Sequence, residues 1–116
     1  MTQGTRPRRV QEEFREILAE EILKLKDPRV GFVTVTGVKV TPDLRHAIVF
    51  YTALGNDVDR RATAAGLRSA TAHLRQVLGR QVRLKTLPDL EFEEDATIET
   101  AERIERLIQR LHEEDR

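Results

Sequence analysis

Basic side chains dominate one long stretch of this chain, and no carboxylate accompanies them there. Residues 60–88 contain no Asp or Glu, and their basic and imidazole side chains are Arg60, Arg61, Arg68, His73, Arg75, Arg80, Arg83 and Lys85. Three of the arginines are spaced seven residues apart, so on a continuous helix they form one stripe. Planar guanidinium groups suit phosphate oxygens, so the stripe predicts a surface for a polyanion.

The formal net charge of zero conceals a segregation of charge along the chain. Residues 1–88 contain 16 basic and 9 acidic side chains, whereas residues 89–116 contain 4 basic and 11 acidic side chains. This split predicts one surface that attracts a polyanion and another that repels it. A solvated basic helix without a partner is the alternative, although such helices usually mix both signs of charge.

The composition bounds the class of protein. A chain of 116 residues forms one domain, and the absence of cysteine excludes disulfides, thiolate metal sites and cysteine nucleophiles. No apolar run approaches the length of a membrane span and no apolar signal-peptide core follows Met1, so we expect a cytoplasmic protein. The three histidines are scattered, and neither a Walker loop nor a helical His-x-x-x-His pair occurs.

The hydrophobic periodicity predicts the element order α-β-β-α-β-α. We expect a helix over about 7–25, strands over 30–40 and 45–53, a basic helix ending at residue 78, a third strand over about 82–92 perturbed at Pro88, and a helix from about 97. Gly37 predicts a β-bulge, and Gly79 predicts a left-handed helix end. A three-stranded mixed sheet with the helices packed on one face would bury the apolar residues.

Four segments of the chain resemble those of one protein family, in the same order. They are Arg6-Pro7-x-Arg9-Val10, KDPRVGFVTVT at residues 26–36, DLxxAxVF at residues 43–50, and LGxxVRLxxLPxLxF at residues 78–92, followed by Asp95. Together they resemble the bacterial ribosome-binding factor A family over nearly the whole chain, from about Arg6 to Leu111. No single segment is decisive, but their joint occurrence is highly specific.

The resemblance implies an α+β fold, a single KH-like domain of the second topological type. It implies a non-catalytic cytoplasmic factor that binds the free small (30S) ribosomal subunit late in its maturation, supports 16S rRNA processing and is associated with growth in the cold. Binding is expected near the decoding region and the 5′-terminal helix of that RNA. We therefore expect a monomer without a cofactor or a membrane partner, with other assembly factors as further candidate partners.

We expect the domain to span residues 6–112, between a flexible start of a basic arm at residues 1–5 and a short charged tail at residues 113–116. The candidate RNA-binding side chains are Arg61, Arg68, His73, Arg75, Arg80, Arg83, Lys85, Arg6, Arg9 and Arg45. The chain lacks the GxxG loop with which ordinary KH domains hold a nucleotide backbone. In its place the family has a helix kink written Ala-x-Gly, and the corresponding residues here are Ala70, Thr71 and Ala72.

Two other classes of function stay open from the residues alone. The chain could be a protein-interaction module of the assembly machinery. It could also be a metal-dependent rRNA nuclease, for which the acidic residues Glu91, Glu93, Glu94 and Asp95 are the supporting feature. A solvated strand end beside a helix N-terminus explains the same acids without any metal.

Overall fold

The computed structural model describes the backbone of residues 2–95 and 98–114, and the side chains of residues 8–95 and 105–114. The helices and strands are α1 (Thr2–Leu23), β1 (Val33–Val40), β2 (His46–Ala53), α2 (Asp57–Gln81), β3 (Asp89–Glu94) and α3 (Ile98–Glu114). The predicted α+β class and element order are thus confirmed. The first helix begins at Thr2, five residues before the start that we predicted from Pro7.

The sheet has the strand order β1-β2-β3, with β2 at its centre. The strand β2 pairs antiparallel with β1 and parallel with β3, because α2 carries the chain across the sheet between them. The pairing of β1 with β2 shifts register between Val35 and Gly37. This shift confirms the predicted bulge at Gly37, and the two directions of pairing confirm the predicted mixed sheet.

The central strand is buried on both of its faces. Ala47, Val49 and Tyr51 join the main core with residues of α1 and α2. Because side chains alternate along a strand, Ile48 and Phe50 point to the other face, where they pack against Leu107, Ile108 and Leu111 of α3. The expectation that all the helices pack on one face was wrong, since both faces of β2 are apolar and each needs a helix to cover it.

The basic helix is longer than predicted and does not end at Gly79. Asn56 caps its N-terminus in a capping box with Asp59, and Val82 caps its C-terminus. Gly79 is not in the left-handed region; instead, a Cβ there would lie 2.7 Å from a methyl carbon of Leu87. The small residue therefore allows the loop over residues 82–88 to pack closely on the helix.

The predicted third strand was placed too early in the sequence. Residues 82–88 form an irregular loop, and β3 begins only at Asp89. The carbonyl oxygens of Leu87 and Pro88 accept hydrogen bonds from the Arg75 guanidinium at 2.9 Å and 3.1 Å. The backbone of this loop is held by a side chain, and its apolar residues Val82 and Leu84 reach the core without strand pairing.

A substitution at Gly66 tests the close approach of α2 to the segment before β1. A Cβ at this position would lie 2.5 Å from a methyl carbon of Val30. Alanine gains about 1 kcal/mol of helix propensity, but overpacking costs about 1–3 kcal/mol, so we expect Gly66→Ala to lower the free energy of unfolding. Urea denaturation measures this, and Gln76→Ala on the exposed face is the control; greater stability of Gly66→Ala would contradict the packing.

Candidate nucleic-acid interface

The basic helix presents its arginines to different surroundings. The side chains of Arg61 and Arg68 are exposed, as the stripe predicted, whereas that of Arg75 is half-buried. The Arg75 guanidinium donates to the two loop carbonyl groups and lies 3.7 Å from a carboxylate oxygen of Asp89. Arg75 therefore has a structural task, which is to hold the loop before β3 against α2.

Arg60 is also engaged within the fold. Its Nε donates to Glu94 at 2.7 Å, and its Nη1 lies 3.4 Å from a carboxylate oxygen of Asp57. The hydrogen bond to Glu94 raises the pKa of this guanidinium. Two carboxylates already neutralise Arg60, so it contributes less to an anion-binding surface than its exposed neighbours do.

Arg45 shares one groove with two basic residues that lie far from it in the sequence. Arg45 follows the turn between β1 and β2, and Arg83 and Lys85 lie in the loop before β3. The groove has a volume of about 500 Å³, and its other lining residues are Asp43, Leu44, Leu84 and Thr86. All three basic side chains are exposed. The arrangement offers converging cations and some apolar wall, which suits a phosphate group and the sugar attached to it.

The carboxylate in this groove is occupied by structural hydrogen bonds. Asp43 accepts from the Thr41 hydroxyl at 2.7 Å and from the backbone N–H of Arg45 at 3.1 Å. Partial burial opposes its ionisation, but these hydrogen bonds and the nearby charges of His112 and Arg45 outweigh that effect and lower the pKa of Asp43. Asp43 thus fixes the turn that positions Arg45.

The remaining candidate residues lie on the first two helices. His73 and Arg80 are exposed on α2, and Arg9 is exposed on α1. The side chain of Arg6 lies outside the described residues. The amide oxygen of Gln11 accepts from the backbone N–H of Val40 at 3.0 Å, which places this part of α1 beside the end of β1.

The segment in which a kink was expected lies within continuous helix. α2 runs without interruption through Ala70, Thr71 and Ala72. The Thr71 hydroxyl donates to the carbonyl oxygen of Leu67, one turn earlier, at 3.0 Å. Bonds of this kind often bend a helix. The bend itself stays a prediction.

The acidic residues after Pro88 do not form one cluster. Glu94 accepts from Arg60, and Asp95 accepts from the Thr36 hydroxyl at 2.9 Å. Within the part of the chain that the structure describes, no group of three or more His, Asp or Glu side chains is placed to hold a metal ion. No described helix is long and apolar enough to cross a bilayer.

An exposed apolar patch is a feature that the sequence analysis missed. Phe32 is 80 % exposed and Leu54 is 73 % exposed, and the Leu54 N–H donates to the Phe32 carbonyl oxygen at 3.1 Å. Both line a shallow hollow of about 300 Å³ beside the start of α2. The alternation along β1 is the one sequence signal for this patch. Val33 and Val35 occupy the buried face of the strand, so Phe32, one residue before Val33, falls on the opposite face.

The fold and the groove define an α+β domain with a basic surface, and comparisons with known proteins specify the family. The family model of ribosome-binding factor A matches residues 6–108. A ribosome-binding factor A of Geobacter sulfurreducens is 46 % identical over 110 residues, which are 94 % of this chain and 93 % of that protein. A ribosome-binding factor A of Gemmatimonas aurantiaca is 45 % identical over 98 % of this chain and 80 % of that protein. The chain therefore belongs to the ribosome-binding factor A family.

Solved structures agree with this assignment. The crystal structure of ribosome-binding factor A from Thermus thermophilus superimposes with a TM-score of 0.70 at 31 % identity, covering 76 % of this chain and 93 % of that one. A homology model of the Thermus thermophilus protein, fitted into a cryo-EM map of a 30S–RbfA complex, has a TM-score of 0.61 at 32 % identity. It covers 72 % of this chain and 88 % of that one.

Two arginines of the same stripe should differ in their effect on stability. Arg75→Ala removes two hydrogen bonds to loop carbonyl groups, and we expect the free energy of unfolding to fall by about 1–2 kcal/mol. The matched change Arg61→Ala removes an exposed charge, and we expect a change within about 0.5 kcal/mol. Urea denaturation of both variants measures the difference; equal stabilities would show that Arg75 does not hold the loop.

The turn that carries Arg45 should make stability depend on pH. Because the folded-state pKa of Asp43 is lowered, its contribution is present above the ordinary carboxyl pKa and is lost as the pH falls through the lowered value. Asp43→Asn should therefore show a shallower loss of stability on acidification than the parent. Thermal unfolding between neutral and acidic pH measures this, and Glu13→Gln on α1 is the control for an exposed carboxylate.

Proposed function

We propose that this chain is a non-catalytic assembly factor that binds the free small ribosomal subunit and assists its late maturation and 16S rRNA processing. The proposal rests on membership of the family and on one structural observation, the groove where Arg45, Arg83 and Lys85 converge. It is supported by the 30S–RbfA complex into which a related protein was fitted. The expected contact lies near the decoding region and the 5′-terminal helix of the RNA, in the cytoplasm.

The groove is suited to the phosphate backbone rather than to base edges. Arg83 and Lys85 lie on an irregular loop and Arg45 lies beside a turn, so basic side chains from two separate segments line the groove. Phosphate contacts give affinity and register, whereas sequence is read from base edges. Selectivity for one RNA site then comes from the shape of a folded junction. The exposed Arg61 and Arg68 add further basic groups along α2 for contact with phosphates.

Such binding promotes maturation without chemical turnover. If the basic surface binds one arrangement of the rRNA more tightly than another, the population of subunit conformers shifts toward the bound arrangement. The shift is limited by the difference in affinity between the two arrangements. No reacting group is needed, and release requires only that the mature subunit no longer offers the same phosphate geometry.

Co-sedimentation with purified 30S subunits over a salt series tests this assignment. We expect the double variant Arg83→Gln and Lys85→Gln to bind more weakly and to reduce the salt slope by about 2, since each substituted base would otherwise neutralise one phosphate. The control is the pair Arg106→Gln and Arg110→Gln, two exposed bases on α3 that carry the same change in charge. Equal weakening by both pairs would show that the loss of binding comes from net charge alone and not from the groove.

A second candidate function is favoured by the exposed apolar patch. Phe32 is 80 % exposed and Leu54 is 73 % exposed, and both line one hollow. Clustered apolar side chains of this kind mark protein-binding surfaces. The chain would then be a protein-interaction module of the assembly machinery. Subunit binding that persists at high salt, together with no affinity for naked 16S rRNA, would favour this candidate over the first.

A further inference from the structure

The turn that presents Arg45 to the groove has a strained backbone. Leu44 has a φ of 62°, in the left-handed region that a bulky side chain rarely adopts. Its N–H donates to the carbonyl oxygen of Thr41 at 2.8 Å, and Leu44 itself lines the groove. Such a conformation persists where the surrounding groups hold it in place. The groups that hold this turn therefore also control the position of Arg45.

Asp43 holds the turn with one carboxylate oxygen and faces α3 with the other. Its Oδ1 accepts hydrogen bonds from the Thr41 hydroxyl and from the backbone N–H of Arg45. Its Oδ2 lies 3.7 Å from Nδ1 of His112, in the last turn of α3. The preceding residue, Leu111, is buried against the sheet, which places this end of α3 beside the turn.

The imidazole of His112 is placed to donate to this carboxylate. Its Nδ1 is buried and has no hydrogen-bond partner among the described residues, although 40 % of the side chain is exposed. An unprotonated Nδ1 would turn its lone pair toward the negative charge of Asp43, so the favourable state carries a proton on Nδ1. A second proton on the other ring nitrogen then gives an imidazolium ion that faces a carboxylate.

Other charged groups also face this end of α3. His46 begins β2 on the same face of the sheet as Ile48, which packs against α3, and Asp89 of β3 is paired with His46 in register. Arg45 precedes His46, and the charged residues of α3 next to His112 are Arg110, Glu113 and Glu114. Because His46 is also an imidazole, the effect of His112 must be measured as the difference between the parent and variants at position 112.

We propose that His112 is a positioning residue for the groove, whose imidazolium pairs with Asp43 and holds the turn so that Arg45 faces an RNA phosphate. This inference rests on the proposed function and adds regulation by protons to it. An imidazole gains its charge between about pH 8 and pH 5, so the affinity of the groove for RNA rises over that range. Because linkage is reciprocal, a phosphate bound at Arg45 also favours the proton on His112.

Two other roles for His112 make different predictions. If the side chain only attached α3 to the turn, its loss would weaken RNA binding equally at every pH. If the ring touched a phosphate directly, its effect would be the same whether or not Asp43 carried a charge. The proposal differs from both, since it requires a charge on His112 and a charge on Asp43.

NMR of the free protein tests the contact without RNA. On lowering the pH from about 8 to about 6, the backbone amide resonances of Leu44 and Arg45 should shift in the parent, and by about half as much or less in His112→Gln. The matched control, His112→Gln with Gln109→His, keeps the composition but moves the imidazole to an exposed position on α3, and should behave like His112→Gln. Equal shifts in the parent and His112→Gln would overturn the proposal.

Co-sedimentation with purified 30S subunits at the same two pH values tests the effect on binding. His112→Gln should weaken binding by about threefold at about pH 6 and by less than about 1.5-fold at about pH 8. His112→Lys, which keeps a permanent charge, should lose less affinity at about pH 6 than His112→Gln does. In an Asp43→Asn background, His112→Gln should cause no further loss, because the two residues act as one unit.

Circular dichroism at both pH values shows that the compared variants are folded. A loss on His112→Gln that is equal at both pH values, or that multiplies with the loss on Asp43→Asn, would overturn the proposal while leaving the proposed function intact. Failure of the parent to bind, or binding unaffected by Arg83→Gln with Lys85→Gln, would contradict the proposed function and this inference with it.

Discussion

The central strand of the sheet is apolar on both faces, and helices must cover each face. Strand β2 pairs with β1 on one side and β3 on the other, and its residues Ala47 to Tyr51 are buried or half-buried. One helical layer cannot cover both sets of side chains. Helices α1 and α2 bury the set that contains Val49, and α3 buries the set that contains Ile48. The chain is thereby divided into layers on either side of the sheet.

This layering brings the acidic strand β3 beside part of the basic helix, where Arg60 pairs with Glu94 and Arg75 lies 3.7 Å from Asp89. The parallel pairing of β3 with β2 requires a crossover, and α2 with the loop after it provides one. The crossover carries the exposed arginines and returns beside the turn that holds Arg45. The acidic part of the chain then forms the edge strand β3 and continues into α3. A basic groove and an acidic edge strand thus arise from one topology.

Periodicity and turn residues predicted the elements well, because local sequence determines them. The bulge at Gly37 followed from a change in strand phase, and the helix stop before β1 followed from Pro28. The third strand was misplaced because the alternating apolar residues Val82 and Leu84 resemble a strand. The carbonyl groups at the end of this segment bond instead to the side chain of Arg75, thirteen residues before Pro88. No local sequence rule reveals such a hydrogen bond.

The candidate site could be predicted only as a set of residue types. The sequence indicated a basic surface, but it could not show that Arg60 is neutralised by Glu94, 34 residues later. Nor could it show that Arg45 shares a groove with Arg83 and Lys85, because that contact requires the complete sheet. The left-handed conformation predicted for Gly79 was wrong because the sequence does not show that Leu87, eight residues later, packs against it.

Cleavage of RNA by a tethered chelate tests whether the basic groove faces the rRNA in the small subunit. The chain has no cysteine, so a single introduced cysteine can carry an iron chelate that cleaves nearby RNA. Thr86→Cys places the probe in the groove, and Gln109→Cys places it on exposed α3. We predict localised cleavage of 16S rRNA from position 86 and little from position 109. Cleavage mainly from position 109, or equal diffuse cleavage from both, would contradict it.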